Sequence, residues 1–530
     1  MNDSGSIPVR VPGKGERTLL RSGEEPPPTS LADFLEEHQC PLNTRCGGRG
    51  LCQGCRVELT RGDGGKENLR ACQTRLADLP KDLRRVDIPE ASWRDHSLHG
   101  VSVFEIRTSL PAPDPRAAGH GIALDVGTTT VAAALWDLAT GHCLGHASIA
   151  NAQSRYGDNV LARIQHAVEK SGGIRDLQSR LVAKSLVPLI RDLCGRAGIE
   201  PSNLRMGTAS GNTVMLHTLA GEPLDGLSVY PFRPVFLVER IFEAGALSSK
   251  LPFPLRLLPG LGPFVGADIA VGALASGILE AEAPVLLIDF GTNGEILLKS
   301  GDGYLATATA AGPAFEGGRL TCGATARKGV IASLRRDRGT WAWSLVGKVE
   351  PTTAPVGISG AAYIDFLALG HAEGLLNDFG RFATGHPEVA ERLDADGDRE
   401  RFIRLGPNLV ITEGDVAELL QAKAAIGGGV ATLLDEAGLR PGDLRGVYVA
   451  GGFGYHLHPG HACHIGLLPD VLLEKIETVG NASLAGASFC LLHPFPQALA
   501  PLVQAVRVIE LNQVPSFEDH FTDALRLVPE

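Results

Sequence analysis

Apolar and polar positions alternate through Ile7–Val11, which predicts a strand with one face in a core. Ser30–His38 instead spaces its apolar residues as a short helix, with Ser30 and Asp33 placed as a capping pair. Arg56–Leu59 reads as a further strand, so the N-terminal stretch predicts a small β-rich fold. From about Arg84 to Ala118 the pattern dissolves, and Pro111, Pro113 and Pro115 predict a stiff connector. At Gly121 the texture changes: Gly121–Leu138 reads as strand, tight Gly-Thr turn, strand. Val285–Leu298 repeats the same order about 164 residues later, which predicts two similar halves. Gly446–Ala450 is a third apolar strand, running into Gly451, Gly452 and Gly454. The expected organisation is an α+β domain over 1–86, a linker over 87–118 and an α/β core over 119–530.

Length and composition refine this picture only slightly. The 530 residues fit roughly 3–4 domains at ~150 residues each. With 44% hydrophobic and 21% charged residues, the chain has the composition of a folded protein. A formal charge of −11 without long Lys/Arg runs argues against a nucleic-acid partner. Met1–Glu25 has no apolar core that a secretory signal would need. Apolar stretches such as Val285–Ile288 are far too short to span a bilayer. The expectation is a cytoplasmic, soluble protein with no membrane partner.

The cysteines change the picture more. Five of the ten fall between Cys40 and Cys72, where a reducing compartment favours metal or redox use over disulfides. Cys46, Cys52, Cys55 and Cys72 form C-x5-C-x2-C-x16-C, close to the plant-type iron–sulfur spacing. Gly47, Gly48, Gly50 and Gly54 let such a loop fold inward around a small cluster. The competing reading is a zinc site, although zinc sites usually pair two C-x2-C halves and one is present here. Cys40 is read as a packing or reactive thiol rather than a ligand. The stretch resembles plant-type and adrenodoxin-like ferredoxins, whose fold is a β-grasp, and that resemblance implies a [2Fe–2S] cluster.

Each Gly-Thr hairpin can set hydroxyls and backbone N–H groups around phosphate oxygens. Asp125, at the end of the first strand, is placed to hold hydrated Mg²⁺. The two hairpins and the Gly446–Gly454 segment together resemble the phosphate-1, phosphate-2 and adenosine motifs of the acetate kinase/sugar kinase/Hsc70/actin superfamily. That resemblance implies that Asp125 and Asp289 organise the metal. It places Gly127, Thr128, Thr129, Thr130, Gly291, Thr292, Asn293 and Gly294 around the phosphates of ATP, and Gly451, Gly452 and Gly454 along the adenosine. Asp268 is expected to orient a water or nucleophile, with a helix N-cap as the plainer alternative. His456, His458, His461, Cys463 and His464 crowd nine positions, which reads either as a metal site or as an ordinary helix start with Pro459 in its first turn. Cys143, Cys194, Cys322 and Cys490 are scattered and expected to be buried.

A ferredoxin module ahead of this core resembles the reductive activators of corrinoid enzymes. Further matching residues include Asn151-Ala-Gln153, Gly211-Asn-Thr213, Ala311–Gly317, Leu420–Lys423, Ala450–Gly454, Gly480-Asn481 and Ala485-Gly-Ala487. The chain departs from the usual family residues at Gly323–Ala326 and at Gly357–Ala362. The resemblance implies an ATP-dependent enzyme that returns the Co(II) corrinoid of a methyltransferase system to Co(I). Its cofactors would be a [2Fe–2S] cluster, ATP and Mg²⁺. Its partners would be a corrinoid protein and an upstream electron donor, and the assembly a homodimer. The alternative is a small-molecule kinase with a redox-sensing ferredoxin module.

Overall fold

The computed structural model describes residues 6–12, 15–20, 30–38, 40–42, 44, 48, 50, 55–89, 92–93, 104–107, 118–301, 303–347, 349–350, 354–393, 399–454, 456–493 and 499–528. The N-terminal sheet contains β1 (Ser6–Val11), β2 (Gly15–Leu20), β3 (Arg56–Arg61), β4 (Lys66–Arg70) and β5 (Leu83–Asp87), in the order β2-β1-β5-β3-β4. β1 runs antiparallel to β2 and parallel to β5. The expected helix is Leu31–Glu37, opened by a reciprocal capping box between Ser30 and Asp33. It lays Leu31, Phe34 and Leu35 against Val9, Val57, Leu59 and Val86.

β5 corrects the sequence reading, which left Arg84–Asp87 in the unpatterned connector. In Leu83-Arg-Arg-Val-Asp87 only Val86 is fully buried, so no apolar alternation marks a strand that lies at the sheet's centre. Part of the connector is also tied down. The Phe104 ring meets the edges of Trp136 and His146, and the Arg107 guanidinium donates to the Thr478 carbonyl at 2.9 Å. Pro111, Pro113 and Pro115 lie outside the described residues.

The rest of the chain is the repeat that the hairpins predicted. The first half has β6 (His120–Val126), β7 (Thr130–Asp137), β8 (His142–Ala150), β9 (Leu204–Ser210), β10 (Arg240–Phe242) and β11 (Leu255–Leu257) in the order β10-β11-β9-β6-β7-β8. In the second half β12 (Val285–Phe290), β13 (Gly294–Ser300) and β14 (Gly303–Thr309) form the antiparallel meander. The hairpin of β15 (Ile331–Asp337) and β16 (Thr340–Leu345) and the small sheet of β17 (Val389–Leu393), β18 (Arg399–Gly406) and β19 (Leu409–Thr412) interrupt it. β20 (Gly446–Ala450), β21 (Ile476–Gly480) and β22 (Val506–Val508) complete the order β21-β20-β12-β13-β14-β22.

Both halves therefore have an antiparallel meander whose first strand gains a parallel neighbour, β9 beside β6 and β20 beside β12. The apolar strands fit this placement, because strands covered on both faces have no polar side to present. Chain return locks the halves together. The helix Ala482–Leu492 follows a second-half strand yet packs on the helix Ala267–Ser276 and the first sheet. Gly486 allows that approach, since a Cβ there would sit 2.1 Å from the Val271 carbonyl oxygen. Thr208 donates to the Ala487 carbonyl at 2.8 Å, and the Trp136 indole to Ser488 at 3.1 Å. No helix among the described residues is long and apolar enough to cross a membrane.

Candidate nucleotide cleft and cluster loop

Equivalent strand ends bring the two Gly-Thr turns face to face. They enclose a cavity of about 290 Å³ lined by Asp125, Gly127, Thr128, Thr129, Thr130, Asp268, Asp289, Gly291, Thr292, Asn293, Gly451 and Gly452 among others. Two residues chosen with them are not on that lining. A Cβ on Gly294 would lie 1.9 Å from the Ile426 Cδ1, and one on Gly454 would lie 2.7 Å from the Val449 Cγ1. These glycines serve close packing behind the cavity, because successive residues of a strand or helix face different ways. Gly451 is needed at the site itself: its φ is +92°, and a Cβ would meet the Phe290 carbonyl oxygen at 2.3 Å.

Each turn is held from outside the repeat. The Asn151 amide group donates to the Gly127 carbonyl at 2.8 Å, and its backbone N–H to the Thr129 carbonyl at 2.7 Å. The buried Arg163 guanidinium donates to the Thr128 carbonyl at 2.6 Å, and Asn212 donates to the Thr128 hydroxyl at 2.9 Å. Across the cleft the Thr129 and Thr292 hydroxyls are hydrogen bonded at 2.6 Å, and Thr292 donates onward to Glu316 at 3.2 Å.

Five carboxyls converge here: Glu295, which is buried, and Asp125, Asp268, Asp289 and Glu316, which are half-buried. Asp125 accepts from Asn481 and from the Ser483 hydroxyl, each at 2.8 Å; burial raises its pKa and these two bonds oppose the rise. Gly266, not Asp268, caps the helix Ala267–Ser276. Asp268 is its second residue, and its Oδ1 accepts from the Ile269 N–H at 2.9 Å. Burial, with the Asp125 charge adding to it, pushes the Asp268 carboxyl up to about 7. Asp289 is pushed up to about 8 by burial and by Asp268 and Asp125. Glu295 is raised well above the usual range for the same reasons, and it stands directly opposite Asp289 in the β12–β13 register. Such a set suits a divalent cation that arrives with phosphates. No group of three or more His, Cys, Asp or Glu among the described residues forms a ready-made metal cage. Mg²⁺ commonly takes one or two carboxylates, waters and phosphate oxygens, which is the arrangement these acids can serve.

These shifts fix a pH dependence. Folded-state values near 7 and 8 exceed the ~3.9 of an unfolded Asp, so the folded state holds the extra protons in between. Their contribution to stability is complete below about 4 and is lost as pH rises through about 7 and 8. The nucleotide-free protein should therefore resist urea better at pH 6 than at pH 8.5, as read by denaturation at fixed temperature. Rising stability across that window would contradict the arrangement of acids.

The glycine end of the cavity carries an aromatic wall. Phe315 stacks on Phe453 with centroids 4.9 Å apart, and Phe290 meets both rings edge-on. Both segments that depart from the usual family residues reach the lining as well, through Ala324, Thr325 and Ala326 and through Ser359, Gly360 and Ala361. Sequence reasoning gave no role to Glu295, Glu316, Ser483 or the three Phe residues. The hairpin register was the available signal for Glu295, and Phe290 and Phe453 lie inside the glycine motifs themselves, while Phe315, Glu316 and Ser483 reach the cavity by chain return.

In the N-terminal domain Cys55 is buried and Cys72 is half-buried, and a hydrogen bond from Cys55 is the leading cause that lowers the Cys72 thiol to about 6. Gln73 ties the loop to this pair, donating to the Gly48 carbonyl at 2.6 Å. Gly48 and Gly50 take φ of +78° and +75°, the left-handed conformation an inward-folding loop needs. Two adjacent thiols, one of lowered pKa, below a glycine loop fit a thiolate-held cluster. Cys46, Cys52, Gly47 and Gly54 lie outside the described residues. Cys40 is fully buried in the domain core. Cys194 and Cys490 are buried as expected, whereas Cys143 and Cys322 are only half-buried.

The histidine-rich segment divides among separate neighbours. His456 lines the cavity, and His458 caps the helix Pro459–His464 by accepting from the His461 N–H at 3.2 Å. His461 pairs with Asp365 at 2.7 Å, and His464 meets His371 at 3.0 Å.

Residues 20–77 match the family model of the 2Fe-2S iron–sulfur cluster binding domain. Residues 120–281 match the RACo middle region, and 283–530 match the C-terminal domain of RACo, the ASKHA domain. The chain belongs to the RACo family, the reductive activators of corrinoid enzymes. In fold, the family's members join a ferredoxin domain to an actin/Hsc70-like ATPase core, as here. This RACo chain is 28% identical to the corrinoid activation enzyme RamQ of Eubacterium limosum, over 93% of its own length and 95% of the relative's. It is 26% identical to the [Co(II) methylated amine-specific corrinoid protein] reductase of Methanosarcina barkeri, over 69% and 68%. Among solved structures, a reductive activator for corrinoid, iron-sulfur protein superposes with a TM-score of 0.71 at 26% identity, covering 98% of each chain.

Proposed function

We propose that this protein is an ATP-dependent reductive activator that returns the Co(II) corrinoid of a partner protein to Co(I). The observation that carries the reading is the presence in one chain of a cluster-type thiol loop and a cleft with two phosphate turns and five converging acids. When bound through Cys46, Cys52, Cys55 and Cys72, a [2Fe–2S] cluster supplies a one-electron carrier near about −400 mV. A protein-held Co(II) corrinoid is harder to reduce than that, and each 100 mV of shortfall costs about 2.3 kcal/mol per electron. Differential binding of a nucleotide to two states of the core provides energy of that size.

In this reading the turns at Gly127–Thr130 and Gly291–Asn293 hold the phosphates of ATP through N–H and hydroxyl groups. Asp125 and Asp289 hold Mg²⁺, which neutralises phosphate charge. The wall of Phe290, Phe315 and Phe453 beside Gly451 and Gly452 receives the purine. Asp268, with its raised pKa, orients the attacking water. The chain acts in the cytoplasm on a corrinoid protein of a methyltransferase system, receives electrons from an upstream donor and works as a homodimer. Its division into 1–86, 87–118 and 119–530 separates electron carriage from nucleotide work.

A kinase of the same fold would transfer phosphate to an organic acceptor. Here ATP turnover with the reduced corrinoid system should yield ADP and inorganic phosphate in equal amounts, with no organic phosphate by mass spectrometry. A phosphorylated small molecule formed in proportion to ADP would overturn the activator reading.

A further inference from the structure

The cluster-carrying domain rests on the core through an ionic contact that leads to the first phosphate turn. The helix Leu31–Glu37 presents Asp33 and Glu36. Asp33 uses Oδ2 in the capping box with Ser30 and Oδ1 to pair with Arg155. Glu36 takes Arg155 Nε at 3.2 Å through one oxygen and Arg180 through the other. The four side chains are only 19–32% exposed, so solvent and salt screen them less than an open surface pair.

On the core side, Arg155 ends the short turn Ala152–Arg155, and Arg180 Nε donates to the Ala152 carbonyl at 3.1 Å. Asn151 caps that same turn, accepting from the Gln153 N–H at 2.9 Å. Its side chain and backbone N–H hold Gly127 and Thr129 of the phosphate turn. On the other side, the Leu31 N–H donates to the Thr74 carbonyl at 2.7 Å, directly after the Ala71–Gln73 turn that carries Cys72. A continuous path of hydrogen bonds and ion pairs therefore runs from the cluster loop to the turn around Thr129.

We propose that the face formed by Arg155 and Arg180 is the docking surface for the cluster-carrying domain, and that phosphates entering the cleft loosen it. The direction follows from the clasp between Thr129 and Thr292, whose hydroxyls stand in contact between the two turns. Phosphate oxygens bound by both turns must part these hydroxyls. Movement of Thr129 carries Asn151 and the Ala152–Arg155 turn with it, away from carboxylates fixed on the other domain. The docked domain is thus parked until nucleotide binds, then freed toward the corrinoid partner. This inference rests on the reading of the cleft as the ATP site.

Reciprocity supplies the test: if nucleotide weakens docking, weakened docking strengthens nucleotide binding by the same factor. A non-hydrolysable ATP analogue with Mg²⁺ would be titrated calorimetrically into the cluster-loaded full chain, the Glu36→Gln variant and the Asp33→Asn/Glu36→Gln double variant. Asn still accepts the capping bond, so the helix is kept, and the visible absorption of the cluster checks the domain. Glu36→Gln should tighten binding about 5-fold, at the low end of typical coupling factors, and the double variant should do so further. Small-angle scattering should show wild type expanding on adding the analogue and the double variant already expanded. Unchanged or weakened affinity in both variants, with wild type binding normally, overturns the inference. Absence of binding to wild type overturns the nucleotide reading beneath it.

Discussion

Replacing Asp289 with Asn should lower ATP-dependent Co(I) formation by at least ~10²-fold, the scale of losing one preorganised charge at a reacting group. The same change should make the nucleotide-free protein harder to unfold. Asp289 is the penultimate residue of β12, half-buried on the cavity lining; it faces Glu295 across the hairpin and shares the cavity with Asp125 and Asp268. Burial, with the Asp268 and Asp125 charges adding to it, raises its carboxyl to about 8, so at pH 7 it is mostly protonated when no cation is present. Asn copies the protonated shape without the ability to ionise, and the gain in stability should grow as pH rises from about 4 toward 8 and level off above it. Catalysis needs the ionised form beside Mg²⁺ and phosphate, and Asn cannot supply it. Thermal unfolding at pH 7 and 8.5, set beside the rate of Co(I) appearance, reads both effects. A variant that is less stable and still active would remove Asp289 from the site.

Cys72→Ala should act in the opposite compartment of the chain. The Cys72 thiol lies beside Cys55 and is held by Gln73, and its loss leaves three of four candidate ligands. The visible absorption of the cluster should fall to background or bleach quickly in air, and cobalt reduction should cease. Binding of an ATP analogue should persist, because Ala71–Gln73 packs within the N-terminal core, apart from the phosphate turns. Visible spectroscopy and calorimetry on one preparation separate these outcomes. Full activation without a cluster would mean that electrons reach cobalt by another route.

Where the fold was legible in sequence, a local rule carried it. The capping box at Ser30 and Asp33 and the two strand–Asp–Gly-Thr hairpins each fit within one or two elements, so their signals survive in a short window. β5 was hidden because Leu83-Arg-Arg-Val-Asp87 fills a central position while burying one large side chain, and propensity says little about such a strand. At the site, the acids at strand ends were legible for the same local reason. Gly294 and Gly454 were misplaced because a run of motif glycines was taken as one surface, although their neighbours Ile426 and Val449 sit behind the cavity. Asn481 and Ser483 close on Asp125 from more than 350 positions away, and Glu316 reaches Thr292 from beyond β13 and β14. No periodicity of a single segment encodes that kind of meeting.

The most direct measurement follows cobalt itself. Anaerobically reduced, cluster-loaded protein is mixed with a Co(II) corrinoid methyltransferase component, with and without ATP·Mg²⁺, and Co(I) is read from its optical absorption. The account predicts Co(I) only when ATP·Mg²⁺ is present. Co(I) forming equally without nucleotide, or failing to form with an intact cluster and ATP·Mg²⁺ across several corrinoid proteins, would contradict it.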